Sequence, residues 1–253
     1  MKDAIAPLLD CAMSPLKTNY IGHDSVYQRL KAEGAFGWTS ESDQTQVVQP
    51  RILQAIARLA LAPGSRILDL GCGTGDIAIW LASLGYTAYG IDIAPSAIAW
   101  AREKAHSQAV EVEFTVGSVV ELSPYPNGFF HLVVDGRCLH CIIGPDRART
   151  LASIYRVLQP GGGFLLQSMC GEVMEASPMR QAFDPASHCL VNKQGIATRY
   201  IGPAEAILEE LKTAGLATSL PGERAAIASW HVVPREGPDD QDDLVALAVK
   251  PKT

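Results

Sequence analysis

Three glycines and two carboxylates form the first group of residues that could bind a ligand. Gly71, Gly73 and Gly75 lie between a strand-like and a helix-like run, where main-chain N–H groups can approach a ligand closely. Asp69 precedes the first glycine by two residues, and Asp92 ends the next strand-like run. The order G-x-G-x-G after an acid favours a ligand with an ammonium group over a diphosphate. Because Asp92 can also accept hydrogen bonds from ribose hydroxyls, the group indicates adenosine joined to an amino acid, as in S-adenosylmethionine.

Three motifs resemble those of the class I S-adenosylmethionine-dependent methyltransferases. Residues 67–75 (ILDLGCGTG) resemble the first motif of that family, and residues 90–93 (GIDI) resemble its second cofactor element. Residues 156–162 (RVLQPGG) resemble the turn before its fifth strand. The resemblance covers about residues 64–168 in the family's order and spacing. It implies a seven-stranded sheet with one reversed edge strand, and a cofactor lying over the ends of the first strands.

The resemblance also implies which residues contact S-adenosylmethionine. Gly71 and Gly73 would face its methionine part, Asp69 would lie near its amine, and Asp92 would hold its ribose. The predicted cofactor contacts are Tyr27, Trp38, Asp69, Gly71, Cys72, Gly73, Asp92, Ile93, Ser118, Val119, Asp135 and Gly136.

Two pairs in that set carry alternatives. Ser118 and Val119 would border the adenine. The family often has Asp where Ser118 stands, and a serine hydroxyl would accept a weaker hydrogen bond from the adenine amine than a carboxylate. Tyr27 and Trp38 belong to the N-terminal segment and could pack on the sulfonium. Ordinary core packing of these aromatic rings is the alternative.

The loop at residues 135–141 is expected beside the transferred methyl group. Methyl transfer requires alignment of acceptor, methyl and sulfur and exclusion of water. His140 is the candidate general base because histidine titrates near neutral pH, and a packing role is the alternative. Arg137 could bind a substrate carboxylate or be solvated. The other predicted acceptor contacts, chosen by position alone, are Met174, Phe183 and Arg199.

The cysteines leave a second hypothesis open. Cys138 and Cys141 form a C-x-x-C pair that could, with Cys170 and Cys189, handle a metal or metalloid. Buried cysteines more often act as small hydrophobic residues, so the preferred interpretation has no metal. A third hypothesis is a protein that binds S-adenosylmethionine without turning it over.

The composition and charge of the chain limit the classes of partner and substrate that we expect. A net charge of -6 and the absence of long basic runs argue against a nucleic-acid substrate. No window approaches the roughly 18 apolar residues of a membrane helix, and six scattered cysteines do not indicate a secreted disulfide framework. We therefore expect a cytoplasmic enzyme that methylates an oxygen, nitrogen or sulfur atom of a small molecule, with no membrane partner. The oligomeric state is not predicted.

The elements that must position these residues alternate between strand and helix over residues 66–168, which predicts an α/β fold. Two late strands, near residues 228–233 and 244–249, would complete a mostly parallel, Rossmann-like sheet of seven strands with helices on both faces.

Two segments lie outside this scheme. We expect residues 1–62 to form a helical N-terminal cap with one amphipathic helix, whose inner face carries Ile52 and Ile56. Residues 63–253 would form the methyltransferase domain. Its insertion, residues 169–202, would be a lid or binding loop.

Overall fold

A computed structural model describes residues 16–38, 40–217, 230–234 and 241–252. Its strands are β1 (Arg66–Leu70), β2 (Thr87–Asp92), β3 (Glu113–Val116), β4 (Phe130–Gly136), β5 (Leu158–Cys170), β6 (Phe183–Asp184), β7 (Cys189–Val191), β8 (Ala197–Tyr200), β9 (Trp230–Val233) and β10 (Asp242–Val249). Its helices are α1 (His23–Ala32), α2 (Glu41–Asp43), α3 (Gln49–Arg58), α4 (Asp76–Ser83), α5 (Pro95–Ser107), α6 (Pro145–Val157) and α7 (Ala204–Thr213). No helix among these residues is long and apolar enough to cross a membrane.

Seven strands form one sheet in the order β3-β2-β1-β4-β5-β10-β9. Strand β1 lies in the middle and pairs in parallel with β2 and β4, so that Asp69 lies opposite Gly90 and Val134. The predicted mostly parallel α/β sheet is confirmed. The expected reversed edge strand is wrong in its position, because β10 is antiparallel to both β5 and β9 and therefore lies second from the edge.

The apolar side chains of the sheet alternate between its two faces. On β4, the side chains of Leu132 and Val134 lie on one face of the sheet, and that of Val133 lies on the other. On β1, Ile67 shares the face of Leu132, and Leu68 shares that of Val133. Helices α3, α4 and α5 cover the first face, and α6 and α7 cover the second. The predicted layers of helix on both faces follow from this two-residue period.

The RVLQPGG motif makes a sharp entry into β5 without an intervening loop, since α6 ends at Val157 and β5 begins at the next residue. The guanidinium of Arg156 donates hydrogen bonds to the main-chain oxygens of Glu121, Leu122 and Tyr125. A Cβ atom at Gly162 would lie 3.0–3.2 Å from three main-chain oxygens. The motif therefore fixes the start of the strand whose far end reaches the functional site.

The N-terminal part contains more helix than the single one expected. Helix α3 is the predicted amphipathic helix, with Ile52 fully buried and Leu53 47% exposed. Helix α1 was missed by the sequence analysis because its sequence is mostly polar. It packs on α5, where a side-chain oxygen of Asp24 accepts a hydrogen bond from the main-chain N–H of Ser96 at 2.7 Å.

The insertion is a small folded unit and not a plain loop. Strands β6, β7 and β8 form a three-stranded antiparallel sheet in sequence order. The main-chain N–H of Ala197 donates to the carbonyl of Lys17 at 2.8 Å, so the start of the described chain attaches to β8. The N-terminal segment (residues 16–38) and the insertion (residues 169–202) are thus joined, and we call the two together the roof.

Candidate functional site

A cavity of about 380 Å³ lies between the carboxyl ends of β1, β2 and β4 and the roof. Its volume falls within the range of small-molecule sites, and its position is the usual one for ligands of parallel sheets. The predicted residues that line it are Tyr27, Trp38, Asp69, Gly71, Cys72, Gly73, Asp92, Ile93, Ser118, Val119, Gly136, Arg137, His140 and Arg199. Asp135, Met174 and Phe183 are outside this lining.

The glycine loop bends sharply around one end of the cavity. Gly71 and Gly73 have φ angles of 67° and 50°, in the region that favours glycine. A Cβ atom at Gly71 would lie 2.5 Å from the Cys138 sulfur, and one at Gly73 would lie 2.6 Å from the Tyr27 hydroxyl. The loop therefore brings main-chain groups to the cavity wall at positions where no other residue type would fit.

The carboxyl group of Asp69 lies at this end without a full set of partners. Its Oδ2 atom is buried and accepts no hydrogen bond from any described residue. Burial, reinforced by the nearby charges of Asp76 and Asp92, raises the pKa of Asp69 well above its usual value. A buried carboxylate on a cavity wall is satisfied best by a positively charged group. The orphaned oxygen thus fits the ammonium group of S-adenosylmethionine.

Asp92 is held in place by main-chain donors. Its Oδ2 accepts from the N–H of Gly73 and its Oδ1 from that of Ala94, both at 2.9 Å. Burial raises the pKa of Asp92, and these two N–H groups oppose that rise. A carboxylate oxygen that accepts one hydrogen bond can accept another, so Asp92 fits a ribose diol. The hydroxyl of Ser118 faces the same cavity and accepts from the N–H of Val120 at 3.2 Å.

Aromatic side chains of the N-terminal segment cover the glycine loop. The rings of Tyr27 and Trp38 meet edge to face with centroids 5.4 Å apart. His23, which lines the cavity and was not predicted, has its ring 5.6 Å from that of Trp38. Tyr20 was also missed, and its hydroxyl donates to Asp146 at 3.0 Å. No periodicity in the sequence distinguishes these residues, because they lie in short turns and in a polar helix.

His140 lies on a single turn of 3-10 helix, Leu139–Cys141, at the other end of the cavity. The side chain is buried, and its Nδ1 atom has no partner among the described residues. Burial, followed by the charges of Arg199 and Arg137, lowers the pKa of His140 well below its usual value. The imidazole is therefore neutral at pH 7, with one ring nitrogen free to accept a proton.

Asp135 is not part of the cavity lining, and its carboxyl group binds the main chain at the start of this turn. Its two oxygens accept from the N–H groups of Cys138 at 2.5 Å and Leu139 at 2.9 Å. Burial raises the pKa of Asp135 to about 7. Asp135 thus holds the turn in place, and its predicted contact with the cofactor stays a prediction. Met174 is 47% exposed, and the ring of Phe183 lies against the guanidinium of Arg180, 5.9 Å away.

The two predicted acceptor-binding arginines differ in their surroundings. Arg137 forms an ion pair with Asp243 at 2.5 Å, and Gln167 donates to the same oxygen at 3.1 Å. Arg137 is thus paired within the protein, and 39% of its side chain remains exposed to solvent. Arg199 lines the cavity with its guanidinium 5.8 Å from the centroid of the Trp38 ring.

The four cysteines of the metal hypothesis do not meet. Cys138 and Cys141 line the cavity, but Cys170 packs in the core of the sheet, and Cys189 packs beneath the small sheet. Burial raises the pKa of the Cys141 thiol to about 11, which disfavours the thiolate that binds metals. Across the described ranges, no cluster of three or more His, Cys, Asp and Glu side chains could hold a metal ion. The four-thiol site is therefore wrong for this part of the chain.

Comparisons with known proteins agree with this geometry. Residues 67–162 match the family model of a methyltransferase domain. Over 158 residues, the chain is 28% identical to a ubiquinone biosynthesis O-methyltransferase of Xanthomonas campestris pv. campestris (strain B100). The match covers 62% of this chain and 65% of that protein, so the chain spans slightly less than two thirds of its relative.

Solved structures share the fold. A structure of S-adenosylmethionine-dependent methyltransferases from Methanosarcina mazei is similar with a TM-score of 0.63 and 23% identity, over 78% of this chain and 98% of that one. A 1,6-didemethyltoxoflavin-N1-methyltransferase of Burkholderia thailandensis, with bound 1,6-didemethyltoxoflavin and S-adenosylhomocysteine, is similar with a TM-score of 0.60 and 19% identity. That similarity covers 97% of this chain and 98% of the other. Residues 67–162 therefore match a methyltransferase domain, and the fold resembles that of S-adenosylmethionine-dependent methyltransferases.

Proposed function

We propose that this protein transfers a methyl group from S-adenosylmethionine to an oxygen, nitrogen or sulfur atom of a small-molecule acceptor. One observation carries the proposal. Asp69 and His140 line the same cavity, and each has a buried polar atom without a partner, Oδ2 of Asp69 and Nδ1 of His140. One site thus offers an acid for a cationic ligand and a neutral base for an acceptor that must lose a proton.

The residues around the glycine loop would hold the cofactor. Asp69 would bind its ammonium group, Asp92 would accept from its ribose hydroxyls, and Ser118 would lie near its adenine. Tyr27 and Trp38 would cover it from the roof, where an aromatic face stabilises a nearby cation. When bound, S-adenosylmethionine supplies an electrophilic methyl group on a positively charged sulfur.

The chain's own contribution to the chemistry is positioning, exclusion of water and proton transfer. The roof closes the cavity above the sheet, which aligns the acceptor and keeps water from competing. His140 Nδ1 would take the proton released by an O–H, N–H or S–H acceptor. Asp135 orients the turn that carries His140 through the N–H groups of the two residues before it, Cys138 and Leu139.

The small-molecule acceptor is supported by the size of the cavity and by the named relatives. The matched proteins are described as a ubiquinone biosynthesis O-methyltransferase and a 1,6-didemethyltoxoflavin N1-methyltransferase. The net charge of -6 does not favour a nucleic-acid substrate.

Calorimetric titration with S-adenosylmethionine and S-adenosylhomocysteine tests the cofactor assignment. We expect micromolar binding of both ligands, weakened at least about tenfold by Asp92→Asn, because the amide cannot replace a charged acceptor. Asp184→Asn removes a carboxylate outside the cavity and should bind both ligands as the wild type does. Failure of the folded wild type to bind either ligand would disprove the assignment.

Turnover is then tested by measuring S-adenosylhomocysteine formation across a library of hydroxyl, amine and thiol acceptors. Formation with at least one acceptor, and its loss in Asp92→Asn, supports methyl transfer. Tight cofactor binding without turnover of any acceptor would favour the alternative of a catalytically silent binding protein.

A further inference from the structure

The charges on the cavity wall are separated into two ends. The wall carries the carboxyl groups of Asp69, Asp76 and Asp92 around the glycine loop, and that of Asp43 from α2. Near His140, it carries the guanidinium groups of Arg137 and Arg199. The acidic end suits a cationic cofactor, and the basic end lies where the acceptor would bind.

Only one of these two arginines has its charge balanced by the protein. Arg137 is paired with Asp243, whose side chain is 6% exposed. Arg199 forms no ion pair with any carboxylate in the described part of the chain, and its Nη1 atom donates to the carbonyl of Thr198 at 2.8 Å. A partly buried guanidinium on a cavity wall is best satisfied by a bidentate anion.

Several contacts place Arg199 on the acceptor side of the site. It belongs to β8, which packs against the turn Leu139–Cys141 that carries His140. After burial, the charge of Arg199 contributes most to lowering the pKa of His140, and it opposes the rise that burial causes in the pKa of Cys141. Strand β8 is anchored on both sides, by β7 and by the main chain of Lys17, so the guanidinium has a fixed base.

We propose that the methyl acceptor is an aromatic acid whose carboxylate binds to Arg199. This inference rests on the proposed function of the site. Among the described arginines of the cavity lining, Arg199 alone lacks a carboxylate partner, and its one charge matches that of a carboxylate, whereas a phosphate ester would bring a second charge. The rings of His23 and Tyr20 line the same cavity, and flat aromatic surfaces favour a planar organic ligand.

The test uses the full chain saturated with S-adenosylhomocysteine and three matched pairs of ligands. The pairs are benzoate and benzamide, cinnamate and cinnamamide, and indole-3-acetate and indole-3-acetamide. Each acid and its amide have nearly the same shape and differ in charge. We expect at least one acid to bind at least about tenfold tighter than its amide by calorimetry, and to weaken as salt is raised.

Variants assign the difference to Arg199. In Arg199→Gln the acid should bind no better than its amide. Arg199→Lys should retain part of the preference, because lysine keeps the positive charge but lacks the paired N–H donors that bind a carboxylate in a bidentate way. Arg180 lies in the same insertion but outside the cavity, where its guanidinium pairs with Glu175. Arg180→Gln should therefore leave the preference for the acid over its amide unchanged.

Three results from the ligand pairs and variants would overturn the inference. They are equal binding of acid and amide in every pair, binding of the acid that Arg199→Gln leaves intact, and tighter binding of phenyl phosphate than of every acid. A failure of all acids to bind protein that does bind S-adenosylhomocysteine also overturns it, and leaves the proposed methyl transfer standing. Failure to bind S-adenosylhomocysteine itself would overturn both.

Discussion

The hydroxyl oxygen of Tyr27 lies 2.6 Å from the point that a Cβ atom at Gly73 would occupy. Tyr27 belongs to α1, and Gly73 belongs to the loop after β1, so this contact joins the roof to the cofactor end of the cavity. The N–H of Gly73 also donates to Asp92 at 2.9 Å. A single glycine therefore connects the roof, the loop and the predicted ribose-binding acid.

Gly73→Ala should weaken S-adenosylmethionine binding at least about tenfold and lower the free energy of unfolding by about 1–3 kcal/mol. The φ angle of 50° strains an alanine, and its methyl group would collide with the Tyr27 hydroxyl. Adding Tyr27→Phe should restore part of the stability, because the next atom of the ring is 3.3 Å away. Urea denaturation of the four proteins in this double-mutant cycle measures the coupling.

Gly195→Ala is the matched control for this cycle. Gly195 has a φ angle of 74°, but a Cβ atom there would meet nothing within 4 Å. It should show the backbone cost alone and bind the cofactor normally. If Tyr27→Phe restores no stability to Gly73→Ala, the collision with the hydroxyl is not the cause of the loss.

Asp69→Asn should weaken cofactor binding while making the ligand-free protein more stable at neutral pH. Because the pKa of Asp69 is raised in the folded protein, ionisation of this group opposes folding as the pH rises above the usual range of an aspartate. The stability advantage of the variant should therefore be absent at pH 3 and grow toward pH 8. Urea denaturation at several pH values and calorimetry measure the two effects, and a variant less stable than wild type at pH 8 would contradict the argument.

His140→Gln should lower kcat by roughly 100-fold or more if the acceptor must lose a proton. Since burial and nearby arginines lower the pKa of His140, the wild-type rate should stay constant through neutral pH and fall only below the usual range of histidine. The free energy of unfolding should change with pH in the same direction. The stability conferred by the neutral imidazole is present above pH 6.5 and is lost as the pH falls toward the lowered pKa of His140.

The control for this prediction is His106→Gln, which removes an exposed histidine on α5. It should match the wild type in the rate and in the pH profile, both measured by S-adenosylhomocysteine release. An unchanged profile in His140→Gln would show that His140 is a packing residue.

Glu210→Gln should destabilise the protein by about 2 kcal/mol or more. Its carboxylate pairs at 2.6 Å with Arg147, whose side chain is only 4% exposed and whose guanidinium donates to the main-chain oxygens of Leu139 and Ile142 on either side of His140. Removing the carboxylate leaves a buried charge without its partner. Glu209→Gln on the same helix breaks an exposed pair with Lys212 and should change the free energy of unfolding by less than about 0.5 kcal/mol in urea.

The cofactor end of the site was predictable because its signals are local in sequence. Asp69, Gly71 and Gly73 fall within five residues, and a short apolar run places them at the end of a buried strand. Parallel pairing of β1 with β2 then brings Asp92 to the same edge. These relationships follow from the chain order alone.

The acceptor end was less predictable because its contacts join distant parts of the chain. Arg137 and Asp243 are 106 residues apart, and no pattern around either one indicates that they pair. Strands β6, β7 and β8 have two to four residues each, too few for a hydrophobic period to identify them. Met174 and Phe183 were chosen by position within this segment, and position alone did not reveal which of its side chains face the cavity.

The pairing of Lys17 with β8 has a consequence for the order in which the protein folds. The hydrogen bond from Ala197 to Lys17 closes a loop that includes every central strand of the large sheet. Closing so long a loop has a high entropic cost until the intervening chain is compact, and contacts of this range form slowly. The binding cavity is therefore completed in a late kinetic step, after the layers of helix and sheet beneath it have assembled.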